Sequence, residues 1–133
     1  MVGGGAGGLE LVTSLGNKLG KKGKARISLV DAGLTHVWKP LLHEVASGSL
    51  DASANEINYR AHARKHHYEF QLGRMSGLDR TNKAIVIAPF RDEEGQEVVP
   101  ERRLHYDTLV IAVGSTANDF GTPGAQDHCL FLD

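Results

Sequence analysis

The chain has one cysteine, Cys129, so its own residues can build neither an internal disulfide nor a pair of redox thiols. A single thiol fits a reducing compartment. No stretch approaches the roughly 18 unbroken apolar residues of a membrane span. Aromatic residues are sparse, and Trp38, Tyr59 and Tyr68 are too scattered to form a stacking surface for single-stranded nucleic acid. There is no excess of charge of one sign: 15 Lys and Arg against 16 Asp and Glu give a net charge of -1, and hence no general attraction to nucleic acid. The local basic cluster Lys18, Lys21, Lys22, Lys24 and Arg26 is accounted for by a helix C-terminus, where cations oppose the negative end of the dipole. No charged-then-apolar signal segment opens the chain. A strand of about five residues is expected before a glycine run of the kind that follows, yet only Met1 and Val2 precede it, so the first strand is expected to be clipped. A length of 133 residues suits one domain.

What the chain has in quantity is glycine, 16 in all, and the densest run is Gly3 to Gly8. After it, Leu9, Val12, Leu15 and Leu19 recur at three to four residues and predict an amphipathic helix stopped by Gly20 and Gly23. Ala25 to Asp31 is β-rich and apolar, as in a buried strand. A short helix is expected over Leu41 to Ala46 after Pro40, then a polar loop to Asn55, a helix over Glu56 to His67 and a strand over Tyr68 to Leu72. Met75 to Leu78 and Ala84 to Ala88 flank a polar turn and predict antiparallel strands. Arg91 to Gln96 reads as a charged turn. Tyr106 to Gly114 is an aliphatic run of the kind found where both faces of a strand are covered, as in a parallel sheet between helices. Cys129 to Leu132 has the pattern of a strand's start. The expected fold is therefore α/β: a Rossmann-like three-layer arrangement with a parallel sheet, a crossover helix and a small antiparallel meander near Met75 to Val99.

The glycine run satisfies G-x-G-x-x-G through Gly3, Gly5 and Gly8. The first allows the tight turn out of a strand, the second lets a pyrophosphate approach the backbone, and the third lets the helix pack closely on the strand. The phosphates would then meet free N–H groups at the helix N-terminus. Six positions so rich in glycine can match by composition alone, and a flexible terminus is the plain alternative. Context argues against it, because Asp31 closes the second strand about 20 residues on, where an acid binds ribose hydroxyls. An acid there, where a 2′-phosphate would call for a nearby Arg, points to the free 2′-hydroxyl of FAD or NAD. The fingerprint itself leaves these two open.

The string V-G-G-G-A-G-G-L-E-L, the strand end L-V-D, the segment W-K-P-L-L-H-E at Trp38 to Glu44, and Y-D-T-L-V-I-A-V-G-S at Tyr106 to Ser115 together resemble the N-terminal part of a type II NADH dehydrogenase. That is a flavoprotein family of the pyridine nucleotide-disulfide reductase-like class, and the resemblance runs along essentially the whole chain. It implies that the fingerprint holds FAD, with Gly3, Gly5, Ala6 and Gly8 at the pyrophosphate and Asp31 at the ribose. It further implies Lys39 and Pro40 near the flavin ring, the Met75 backbone at the adenine, and Ala112 to Gly114 as the strand end that closes over the cofactor. Lys39 equally suits a solvated cation beside a turn, and Met75 core packing. The parent implied is an NADH:quinone oxidoreductase of a respiratory chain, cytoplasmic and peripheral on the inner face of the cytoplasmic membrane, with homodimers expected. Relatives bind NADH through a second, later fingerprint, and none follows Gly114 here. The chain is thus expected to be a single partial FAD-binding domain, inactive alone, whose membrane contact lies in C-terminal parts outside it.

Other chemistry is set aside on residue grounds. His62 and His66 are spaced i, i+4, but no H-E-x-x-H or cysteine ligands accompany them, so no metal is expected. G-x-S-x-G is absent. With no Cys-x-x-x-x-Cys pair, disulfide reduction is excluded, the flavin itself takes the hydride, and no side chain is assigned as catalytic. The alternatives are the N-terminal half of a sulfide:quinone or ferredoxin-type reductase, or a non-catalytic nucleotide-binding remnant.

Overall fold

The computed structural model describes residues 1–36, 42–51 and 56–131. Helix α1 (Ala6–Leu15) follows the glycine turn directly and runs on into a π-helical turn, Gly16–Gly20. The chain continues through β1 (Ser28–Asp31), β2 (Thr35–His36), α2 (Leu42–Ala46), β3 (Ile57–Asn58), α3 (Tyr59–Lys65) and β4 (Glu69–Leu72). An antiparallel part follows: β5 (Met75–Asp79), β6 (Ala84–Ile87), β7 (Phe90–Arg91), β8 (Glu97–Val99) and β9 (Arg102–His105), before a last short helix, α4 (Ala125–His128).

β1 and β4 pair in parallel, with Leu29 opposite Phe70. Val2 makes parallel bridges to Val30 on one side and to Ile111 on the other. The order across the sheet is therefore β4, β1, the Val2 segment, the Ile111 segment, which in chain order is third, second, first, fourth. This is the opening order of a doubly wound dinucleotide fold. The direction of strand addition reverses at Val2, and the residue after Val2's neighbour Gly3 leads straight into the turn before α1.

Strand alternation divides the core into two clusters, one on each face of this sheet. Leu29 looks toward the helices and packs with Leu9 and Val12 of α1, Tyr59 and Ala63 of α3, and Tyr68. Val30, next in the chain, looks the other way and packs with Val2, Ile85 and Ile87 of the antiparallel part. Helices, parallel sheet and antiparallel sheet thus form three layers. The side chains of Tyr59, Leu29, Ile87, Val12 and Val30 are fully buried, each worth about 1.5–3 kcal/mol relative to exposure.

The antiparallel sheet has the order β5-β6-β9, so the expected meander extends beyond Val99 to His105. The R-R-L-H sequence of β9 carries no apolar alternation of its own and is a strand because it pairs along the whole of β6. The charged turn at Arg91 to Gln96 is flanked by the short β7 and β8, with Asp92 accepting from the N–H groups of Glu94 and Gln96. The expected helix from Glu56 starts at Tyr59 instead, because Asn58 caps it, its side-chain oxygen accepting from Arg60 and Ala61 N–H. The run Tyr106 to Gly114 makes only the bridge at Ile111, and Ile111 and Val113 are exposed, so among the described residues its outer face is uncovered. Cys129, the C-cap just past α4, has extended backbone, but residues 129–131 form no strand, and Leu132 at the end of that expected start lies outside the described residues.

Candidate functional site

At the carboxyl ends of the parallel strands the chain makes its sharpest turn. Gly3 has φ +96°, a conformation that L side chains rarely adopt, and a Cβ there would overlap the Ala112 carbonyl. Its N–H donates to Val30 O at 2.9 Å, while Ala112 N–H donates to Val2 O at 2.7 Å, so Gly3 is wedged between two strand ends. A Cβ at Gly8 would overlap the Gly3 carbonyl oxygen and touch the Ala112 side chain at 3.6 Å, so the first turn of α1 lies directly on the glycine turn. Gly5 is different. A Cβ at Gly5 would meet no atom of the described residues within 4 Å, so none of their packing requires glycine at that position.

Gly5 is the N-cap of α1 and offers no side-chain cap, and the helix has no acid in its first turn. The N–H groups of Ala6 and Gly7 therefore face outward without intrahelical acceptors, at the positive end of the helix dipole. Beside them stands Asp31, at the end of β1. Its Oδ2 accepts from Gly4 N–H at 2.6 Å and its Oδ1 from Gly33 N–H at 2.9 Å. Half-buried, it keeps lone pairs for further donors.

The structure brings Gly3, Gly5, Ala6, Gly8, Asp31 and Ala112 to one place. Gly114, with φ +72° and none of the described residues within 4 Å of where a Cβ would stand, lies two residues further along the same segment. Met75 begins β5, opposite Ile87, and its side chain packs on the Val2–Val30–Ile85–Ile87 cluster, so a role at a ligand would fall to its backbone. Lys39 and Pro40 lie outside the described residues. Tyr59 is the residue that sequence reasoning missed. It is buried to 2% exposure, its ring stacks on Phe70 at 5.1 Å, and its hydroxyl donates to Gly4 O at 2.6 Å. Burial, with the Asp31 and Tyr68 charges adding to it, raises the phenol's pKa and keeps it a donor. The only local signal was the cap residue Asn58 just before it; the contact itself spans 55 positions in sequence.

His36, buried near Asp31, has its pKa lowered by burial, which the Asp31 charge partly opposes. The His62 and His66 rings lie tilted by 31° with centroids 4.2 Å apart, and His62 Nδ1 lies 3.0 Å from the Tyr68 hydroxyl. Among the described residues no group of three or more side chains is arranged to hold a metal ion. A cavity of about 850 Å³ opens at the other end of the sheet, lined by Met1, Arg26, Ser28, Tyr106 and Leu109 among others, and neither the glycine turn nor Asp31 borders it. The amino ends of parallel strands present no helix N-terminus to an anion, whereas the glycine turn does.

A parallel sheet of order 3-2-1-4, a glycine turn at its switch point and an acid at the second strand's end define a Rossmann-like, doubly wound α/β fold. The pyridine nucleotide-disulphide oxidoreductase family model matches residues 1–133, and the chain belongs to that family. It is 50% identical over all 133 residues to the type II NADH:quinone oxidoreductase of Haemophilus influenzae, covering 30% of that protein. Among solved structures it is similar to the NDH2 of Plasmodium falciparum in complex with NADH, with a TM-score of 0.79 and 24% identity, over 99% of this chain and 25% of that one. It also resembles the sulfide:quinone oxidoreductase of Aquifex aeolicus, with a TM-score of 0.70 and 21% identity, over 95% of this chain and 26% of that one. These two likenesses show the fold. The chain spans about 30% of the length of the curated bacterial relatives it matches along its whole length.

Proposed function

We propose that this chain is the FAD-binding part of an oxidoreductase that passes electrons from NADH to a quinone. The observation that carries the proposal is the 50% identity, maintained over every residue, to a protein named for that reaction. The local geometry fits the ADP half of the cofactor. Open space at Gly5 and outward N–H groups on α1 suit a pyrophosphate, and the Asp31 carboxylate suits ribose hydroxyls. The remaining expected contacts, at Lys39, Pro40, the Met75 backbone, Ala112 and Gly114, belong to this proposal.

When bound, FAD supplies the two-electron chemistry. The chain's own residues bind and orient it: the α1 terminus neutralises phosphate charge, Asp31 fixes the ribose, and Gly3 and Gly8 hold helix and strand close enough to keep both in register. None of these side chains needs to move a proton. The quinone would be met at a membrane surface by the whole protein, consistent with a peripheral location, and among the described residues no helix is long and apolar enough to cross a membrane. The test is to express the complete reading frame around this chain, record flavin absorbance in the purified protein and follow NADH oxidation with a soluble quinone. A yellow protein with quinone-dependent turnover is expected. A colourless protein that binds no FAD on titration would remove the reading.

A further inference from the structure

Gly4 sits inside the fingerprint but at none of its three glycine positions, and the chain holds it from both sides. Its N–H donates to Asp31 Oδ2 and its C=O accepts from the Tyr59 hydroxyl, each at 2.6 Å. A Cβ at Gly4 would overlap the Tyr59 phenol, so the backbone here lies flat against that side chain. The Gly4 carbonyl shares its peptide plane with the N–H of Gly5, and in a trans peptide the two point in opposite directions. Tyr59 stands in the core, between α1, β1 and Phe70. Fixing the carbonyl toward Tyr59 therefore turns the Gly5 N–H away from the core, to the side where a Gly5 side chain would find no neighbour among the described residues. The Gly5 N–H has no acceptor among the described residues.

We infer that Tyr59 is a positioning residue for the dinucleotide: by holding the Gly4 carbonyl it aims the Gly5 N–H at the pyrophosphate, and through the same glycine it couples that donor to the ribose acid Asp31. The inference rests on the FAD reading above. A tyrosine serves here where phenylalanine would pack equally well, because only the hydroxyl reaches the carbonyl. Burial holds the phenol protonated, so the donor is present at any physiological pH.

The test uses the chain with ADP as probe, titrated calorimetrically, with circular dichroism to confirm folding. Tyr59→Phe keeps the ring and removes the hydroxyl, and ADP affinity is expected to fall roughly 2- to 10-fold, the effect of one buried neutral hydrogen bond. Tyr68→Phe is the control, since it deletes a buried phenol hydroxyl from the same core cluster, but one that bonds His62 and not the glycine turn. Its ADP affinity should stay at the wild-type value. In the wild type, the Gly5 amide resonance should move on addition of ADP, a measurement that needs no variant. Unchanged affinity in folded Tyr59→Phe, equal losses in the two variants, or a Gly5 amide indifferent to ADP while its neighbours respond would overturn the inference. Absence of ADP and FAD binding by the wild type would instead overturn the cofactor reading on which it stands.

Discussion

At Asp31 one carboxylate oxygen accepts from Gly4 N–H and the other from Gly33 N–H, which uses about half of the roughly four lone-pair directions such a group offers. The remainder is open to ribose hydroxyls, so under the proposed function one side chain would both set the turn and read the sugar. Asp31→Ala is expected to weaken FAD binding about 10- to 150-fold, the worth of a hydrogen bond to a charged group at roughly 1.5–3 kcal/mol. Asp31→Asn should cost less, since the amide keeps one acceptor oxygen. FMN lacks the adenosine ribose and should bind both variants as it binds the wild type; equal losses for FAD and FMN would reduce Asp31 to a fold-supporting role. The glycines separate in the same way. Gly8→Ala forces a methyl onto the Gly3 carbonyl and should lower stability by about 1–3 kcal/mol in denaturant titration. Gly5→Val meets no atom of the described residues at its Cβ, so the fold should persist while FAD affinity collapses. A folded Gly5→Val protein with undiminished affinity would show that the pyrophosphate lies elsewhere.

Among the elements, α1 and the turn that continues it are legible in the sequence as one helix because their apolar spacing continues unbroken to Leu19, whereas the π-helical form of Gly16–Gly20 is not. What the spacing cannot show is why Gly16 and Gly20 are glycines. Each faces the carbonyl oxygens of the His66–His67 segment so closely that a Cβ would overlap one, a contact made by residues some 50 positions apart. α3 was legible as a helix, but its start depended on the Asn58 cap and its importance on Tyr59, whose partner is in the glycine turn. Its far end carries a pH dependence. Burial, then the neighbouring His66 and Lys65 charges, lowers the His62 pKa, and burial also lowers that of His36. As pH falls through the ordinary histidine value of about 6.5, the unfolded chain takes up these protons before the folded one does, so stability is complete above that pH and declines below it. The urea midpoint should be lower at pH 5.5 than at pH 7.5, and His62→Gln should narrow the difference. A difference of the same size in His62→Gln would clear His62 of any part in it.

For the molecule as a whole, the three layers could be read from strand and helix patterns, whereas the strand order could not, because β1 meets β4 and Val2 meets Ile111 only through long-range pairing. That order is what places the switch point at Gly3, and it gives a weak glycine pattern a defined place in the fold as a candidate site. It also shows where the site stops. The described residues make one dinucleotide turn, at one sheet whose last segment leaves Ile111 and Val113 exposed, 54% and 66% respectively. Hydride transfer needs the nicotinamide held against the flavin ring within about 3–3.5 Å, and such placement is worth several orders of magnitude in rate. This chain covers 30% of its Haemophilus relative, and its described residues offer a candidate site for one nucleotide half, with no second such turn among them to bring another dinucleotide into contact. The 133-residue chain should therefore bind ADP and FAD, yet with NADH and a soluble quinone it should consume NADH no faster than free FAD does at the same concentration. Absorbance of NADH over time measures this directly. Steady turnover by the purified chain above the free-flavin rate would mean that a second nucleotide site lies within these residues.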